Sequence, residues 1–321
     1  MAWMGVEKMK QHWRYLVARY GAYPVVWCLA GEGTMPYYLS EEPERDREFQ
    51  KKGWTELVAY LRSIYPYRHP ITIHPTDCAR DQVEDPSLLD IDMLQTGHGD
   101  RRSIPNTVRL VREAYARTPT MPVINGEVCY EGIGEACRQE VQRFMFWACM
   151  LSGACGHTYG ANGIWQVNTE EVPFGPSPHG MSWGDTPWTE AYRLPGSGQL
   201  GLAKQLLQRY EWWRFEPHPE WVEPSASEDN YYAPYAGGIP GEVWVVFLPS
   251  GVWGVKVKGI EKGLRYRAFL FDPVDGREHE IGPVVPDEHG DWRLPSSRPP
   301  IYQDWVLVLE EVKYASRRIL K

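Results

Sequence analysis

Pro24-Val-Val-Trp-Cys-Leu-Ala-Gly-Glu-Gly33 and Met121-Pro-Val-Ile-Asn-Gly-Glu-Val-Cys-Tyr-Glu-Gly132 share one plan. A short apolar run ends in small residues and an acid follows, Glu32 in the first stretch and Glu127 in the second. Short apolar runs suit strands buried on both faces, as in a parallel sheet. An acid just past the C-terminal end of such a strand is how an α/β barrel presents a catalytic carboxylate. Two acids on one barrel mouth fit glycoside hydrolysis, which commonly employs a carboxylate pair.

Outward from these stretches, strand and helix patterns alternate. Val6, Met9, Trp13, Leu16, Val17 and Tyr20 recur at helical spacing. Further helices are expected over 43–65, 104–117, 135–152 and 198–213, the third apolar nearly all round, as a buried helix would be. Strands are expected over 25–30, 70–74, 91–95, 122–125 and 154–159. The alternation argues for parallel strands with helical crossovers. Five strands fall short of the eight of a closed barrel. The pattern is therefore an open α/β sheet or a barrel without its first part.

Residues 217–229 form a Pro-rich polar connector, the natural boundary between a β/α domain (1–216) and a second domain (230–321). Beyond it the pattern changes to strands and turns: 243–248, 252–257, 265–271, 278–282 and 305–309, with turns such as Asp272-Pro-Val-Asp-Gly276. Such a run reads as a small antiparallel β-sandwich.

Composition narrows the function classes. The 321 residues are 43% hydrophobic and 24% charged, an ordinary globular balance. The net charge of −8 and the lack of a basic run argue against nucleic acid or an anionic membrane as partner. No apolar stretch approaches the roughly 20 residues of a membrane span. The opening Met1-Ala-Trp-Met-Gly-Val-Glu-Lys-Met-Lys10 lacks the order of a signal peptide, so the chain as written is expected in the cytoplasm. Cys28, Cys78, Cys129, Cys137, Cys149 and Cys155 contain no C-x-x-C pair and are expected to be reduced.

The candidate site gathers at the strand ends. Glu32 lies between Gly31 and Gly33, which allow a sharp turn and close ligand approach. Beside Glu127, Tyr130 and Glu131 crowd the same turn, where a hydroxyl can orient a carboxylate. If Glu127 is instead a paired, buried acid, Arg138 is its candidate partner. His74, His98 and His157 end successive strands, with Gln95 and Tyr159 in similar places. They suit hydrogen bonds to a polyol; the alternative is a metal-dependent hydrolase built on His74, His98 and His157, although no H-x-H or H-E-x-x-H spacing occurs. Trp165 can floor a sugar site, and the loop over 163–187, with Trp183 and Trp188, borders it. No cofactor and no metal are called for by the carboxylate chemistry.

Several stretches resemble the apiosidase-like glycoside hydrolases. They are Tyr15-Leu-Val-Ala-Arg-Tyr-Gly21 leading into Pro24-Val-Val-Trp27, Leu94-Gln-Thr-Gly-His98, Pro122-Val-Ile-Asn-Gly-Glu127 with Tyr130-Glu131, and Gly153-Ala-Cys-Gly-His-Thr-Tyr-Gly160. Trp253, Phe271-Asp-Pro273, Gly276 and Asp304-Trp-Val-Leu-Val-Leu309 look like the small β-domain of the collagen-binding type that often follows the catalytic domain. The resemblance implies a (β/α)8 (TIM) barrel of which this chain holds strands four to eight, strands one to three lying before its first residue. It implies Glu32 as acid/base after strand four and Glu127 as nucleophile after strand seven, in a retaining enzyme acting on a plant or microbial polysaccharide or oligosaccharide. The wider clan carries Asn-Glu where this chain has Gly31-Glu32, and apiosidase-like proteins often carry Asp there. His74, Gln95, His98, Tyr130, Glu131, His157, Tyr159 and Trp165 are the expected substrate contacts. An open barrel leaves unpaired strand edges, which a homo-oligomer would cover. The alternative from a different class is a non-catalytic carbohydrate-binding or scaffolding protein.

Overall fold

A computed structural model describes residues 1–35, 39–173, 183–252, 254–295 and 301–318. Trp253 and part of the 163–187 loop lie outside the described residues. The chain divides into two compact units, Met1–Thr96 with Glu113–Glu127, and Gly97–Arg112 with Val128–Lys321.

In the first unit, helix α1 (Gly5–Tyr20) buries Met9 and Trp13, four positions apart on one face. Helix α2 (Pro43–Ile64) begins on a proline, whose missing N–H costs nothing in a first turn, and carries Glu44 and Asp46 where the helix dipole favours acids. Its Trp54, Leu57, Val58 and Leu61 close over one core with Trp27, Leu29, Ile71 and Ile73. Strand β1 (Trp27–Cys28) pairs in parallel with β2 (Ile71–Thr72). The ladder continues beyond them: Leu29 N–H donates to Thr72 O at 3.0 Å, His74 N–H to Ala30 O at 3.2 Å, and Gly33 N–H to His74 O at 2.9 Å. Strand β3 (Asp92–Gln95) pairs in parallel with β4 (Val123–Glu127). Asp90 N–H and the Thr72 hydroxyl, donating to Ile71 O and Ile91 O at 2.9 Å each, tie β2 to the chain entering β3.

In the second unit, the part of helix α3 (Ile104–Ala116) up to Arg112 buries Ile104 and Val108. Helix α4 (Gln139–Met150) buries every residue from Val141 to Cys149. Strand β5 (Gly156–His157), the short helix α5 (Trp188–Ala191) and helix α6 (Pro195–Leu207) follow. The remaining chain is rich in sheet: β6 (Glu216–Pro217), β7 (Val222–Glu223), β8 (Tyr235–Ile239), β9 (Val243–Leu248), β10 (Lys256–Val257), β11 (Tyr266–Phe271), β12 (Glu278–Pro283), β13 (Trp292–Arg293), β14 (Trp305–Glu311), then helix α7 (Val312–Arg318). Six of these strands form an antiparallel sheet in the order β12-β11-β14-β9-β8-β6, and three form a second in the order β13-β10-β7. Among the described residues, no sheet closes on itself.

The larger sheet is covered on both faces, which explains why β9 and β14 read as unbroken apolar runs. Val243, Val245, Phe247, Val306 and Val308 share a core with Phe144, Trp147, Ala203 and Leu206 of α4 and α6. Trp244, Val246, Leu248, Leu307 and Leu309 face the other way, into a core with Val222, Val257 and Trp292 of the smaller sheet. One buried ion pair crosses the first of these interfaces. Arg143 of α4 donates twice to Asp304, at 2.9 and 2.6 Å, and once to Gln199 of α6 at 2.5 Å.

Candidate active site

Glu32 holds an unusual backbone. Its φ is +54°, in the left-handed region, where a side chain costs about 1–3 kcal/mol. The sharp turn expected of the flanking glycines is thus taken by the glutamate itself. Gly33 serves close approach instead, since a Cβ there would lie 2.7 Å from Ile73 Cδ1, whereas Gly31 has open space around it. The strained turn persists because its surroundings over-determine it. Met35 N–H donates to Glu32 O at 2.9 Å, Thr34 N–H to Gln82 Oε1 at 3.1 Å, and Gln50 Nε2 to Thr34 O at 2.7 Å. The Trp54 indole N–H donates to Gly33 O. Gln50 and Trp54 both come from α2, so the helix that fills the core also fixes the acid.

Glu127 is aimed by a bulge. Leu94 is opposite Asn125, yet Gln95 is opposite Glu127, so Gly126 is the extra residue. A slip of one residue moves a side chain to the other face of a sheet, and bulges are a common means of re-aiming one beside a site. A Cβ on Gly126 would meet Met93 Cγ at 2.5 Å, so the bulge needs glycine or a displaced Met93.

Within this unit the structure brings together four of the predicted site residues in one hydrogen-bonded row. Gln95 Nε2 donates to Glu32 Oε1 at 3.1 Å. His74 Nε2 lies 3.2 Å from Gln95 Oε1 and 2.7 Å from Glu127 Oε2. Both neighbours of that nitrogen are accepting oxygens, so it carries a hydrogen. Burial pushes the His74 pKa down, but the hydrogen bond and charge of Glu127, the bond to Gln95 and the charge of Glu32 outweigh it, and the net shift is upward. The row therefore holds two acids with an amide and a proton-retaining imidazole between them.

The other predicted residues lie in the second unit. Glu131 is only 1% exposed, and its Oε2 accepts from the Tyr159 hydroxyl at 2.5 Å and from Gly196 N–H at 2.9 Å. Gly196 is the second residue of α6, whose N-cap residue is Leu194, so Glu131 supplies the acceptor that a capping side chain usually gives. Burial raises the Glu131 pKa against the opposing pull of those two donors. The Tyr159 hydroxyl is pushed up by burial and by Glu131. Burial lowers His157 to about 3, which keeps it neutral. It lines a cavity of about 300 Å³ with Phe146, Leu200 and Trp212. The His98 and Tyr130 rings stack with centroids 4.7 Å apart, and Trp165 is 51% exposed. Arg138 donates to Glu135 O at 3.1 Å. Among the described residues, no group of three or more His, Cys, Asp or Glu side chains is placed to hold a metal ion, and no helix is long and apolar enough to cross a membrane.

The profile of the apiosidase-like catalytic domain matches residues 1–214. The chain belongs to the apiosidase-like family. It is also similar to a solved structure described as a glycoside hydrolase, at 22% identity and a TM-score of 0.78, covering 97% of this chain and 70% of that one. A second similar structure, a glycoside hydrolase family 5 protein from Bacteroides vulgatus ATCC 8482, has 22% identity and a TM-score of 0.75, covering 97% of this chain and 67% of that one. At these identities the two structures speak for the fold. No protein of curated function matches. Family and fold together support a glycosidase-type function for this apiosidase-like chain, with carbohydrate as the implied substrate class.

Proposed function

We propose that the chain is a retaining glycoside hydrolase acting on a plant or microbial polysaccharide or oligosaccharide, with Glu32 as acid/base and Glu127 as nucleophile. The observation that carries this reading is the row Glu32–Gln95–His74–Glu127, which ties two strand-end carboxylates into one site. In the first step, Glu127 attacks the anomeric carbon while the bond to the leaving oxygen breaks, and that oxygen takes the Glu32 proton. In the second, ionised Glu32 takes a proton from water, the water oxygen bonds to the anomeric carbon, and Glu127 leaves as a carboxylate. His74 holds its hydrogen on Glu127 Oε2 and so orients the attacking carboxylate. His98, Tyr130, His157, Tyr159 and Trp165 are the remaining proposed substrate contacts, whereas Glu131, buried and bonded to Tyr159 and Gly196, holds the start of α6.

The same proposal takes residues 1–216 as strands four to eight of a (β/α)8 barrel, 217–229 as the linker, which contributes β7 to the smaller sheet, and 230–321 as an accessory β-sandwich. Glu127→Gln is the test. Turnover of aryl glycosides should vanish while the thermal midpoint holds, and wild-type product should first appear with the substrate's anomeric configuration by NMR. Undiminished turnover in the variant, or an inverted first product, defeats the mechanism.

A further inference from the structure

We propose that Gln95 is the positioning residue that relays the direction of hydrogen bonding from one carboxylate to the other: with the hydrogen of His74 held on Nε2 by Glu127, the Gln95 amide confines the acid proton of Glu32 to Oε2. This rests on the reading of Glu32 as acid/base and Glu127 as nucleophile, and goes beyond it by giving Gln95 work other than sugar contact.

Glu127 Oε2 lies 2.7 Å from His74 Nε2, a distance at which a lone pair facing a carboxylate would repel, so Nε2 carries a hydrogen. That hydrogen side also faces Gln95 at 3.2 Å, so the amide must turn its oxygen to His74. An amide has one donor end and one acceptor end, so its nitrogen faces Glu32 Oε1, 3.1 Å away. Turning the amide over would set oxygen against carboxylate at one end and N–H against N–H at the other. Glu32 Oε1 is thus committed as an acceptor. When Glu32 carries a proton, that proton sits on Oε2, the oxygen left to serve a leaving group. Among the described residues of this unit, Glu32, His74 and Glu127 are the titratable members of the row. The nearby Cys28 thiol is pushed up by burial, against an opposing hydrogen bond at the His74 backbone, and stays neutral. Gln95 does not titrate, so it transmits polarity without adding charge.

Two measurements test this. Long-range 1H–15N spectra of the wild type should show neutral His74 as the Nε2–H tautomer; an Nδ1–H tautomer overturns the proposal whether or not the chain cleaves any glycoside. Gln95→Glu keeps the shape of the side chain and replaces its donor by an acceptor. On the phenyl glycoside of the sugar that the wild type cleaves, kcat/KM should fall roughly 100-fold through kcat, the scale of general acid catalysis. On the 2,4-dinitrophenyl glycoside, whose leaving group needs no proton, the loss should stay within about fivefold by the same reasoning. Equal losses on both substrates, or a change in KM alone, would mark Gln95 as a binding or structural residue and overturn the proposal. Glu32→Gln on the same pair of substrates judges the acid/base reading separately.

Discussion

Replacing Arg143 by Met removes the cation that joins α4 to the start of β14. Arg143 and Asp304 side chains are each 5% exposed, and their two hydrogen bonds form a bidentate pair. Loss of one member strands the other charge in an apolar setting, which typically costs about 3–5 kcal/mol. Gln199 Oε1 also loses its donor, for about 1 kcal/mol more. In a domain of this size 1 kcal/mol moves the midpoint by about 2–4 °C, so Arg143→Met should melt roughly 8–24 °C lower. Arg143→Met combined with Asp304→Leu replaces the pair by apolar groups of similar bulk and should regain most of the loss, a coupling of about 2 kcal/mol or more. Urea unfolding followed by tryptophan fluorescence, alongside calorimetry, reads both quantities. An Arg143→Met variant within about 1 kcal/mol of wild type, or a double variant as poor as the two singles added, would refute the assignment of this pair as a buried fastener.

Relief of the left-handed turn makes Glu32→Gly a stabilising change of up to about 1 kcal/mol that abolishes turnover of substrates whose leaving group needs a proton, whereas Glu32→Gln abolishes the same turnover and leaves unfolding in urea unchanged. The raised His74 pKa means that the folded chain holds this proton more tightly than the unfolded one. Its contribution is therefore full below the ordinary value of 6.5 and is lost as pH rises through the higher folded value. The stability gap between wild type and His74→Gln should accordingly narrow from mildly acidic to alkaline pH; a gap that widens reverses the sign and the assignment. Gly196→Ala places a methyl 2.3 Å from Glu131 Oε2 and should cost about 1–3 kcal/mol in thermal unfolding, while Gly201→Ala in the same helix, with open space around it, should not destabilise.

The strand ends were legible because apolar runs and acids are local signals. Helix 43–64 and strand 243–248 match their periodicity almost to the residue. Glu32 and Glu127 could be picked out as a pair, but their geometry could not. The positive φ of Glu32 depends on Gln50, Trp54 and Gln82, which stand far along the chain and carry no pattern of their own. The bulge at Gly126 depends on Met93 lying across the strand. Strand Tyr235–Ile239 escaped notice because Gly237 and Gly238 lower its apparent propensity, although all five residues are buried. Glu131 is expected as a substrate contact because it crowds the turn after Glu127; its capping of α6 requires knowing that Pro195-Gly196 begins a helix beside it.

At β8, β9 and β14 the larger sheet has no wet side. Val243, Val245 and Phe247 need α4 and α6, and Trp244, Val246 and Leu248 need the smaller sheet. A protein engineer who lifts residues 230–321 onto another scaffold therefore carries away a slab with one face stripped of its helices. Such a fragment should precipitate or collect chaperones unless the recipient supplies helices of matching shape. Conversely, α4 and α6 cannot drift in sequence without the strands following them, so whatever these helices support is inherited together with the sheet as one unit.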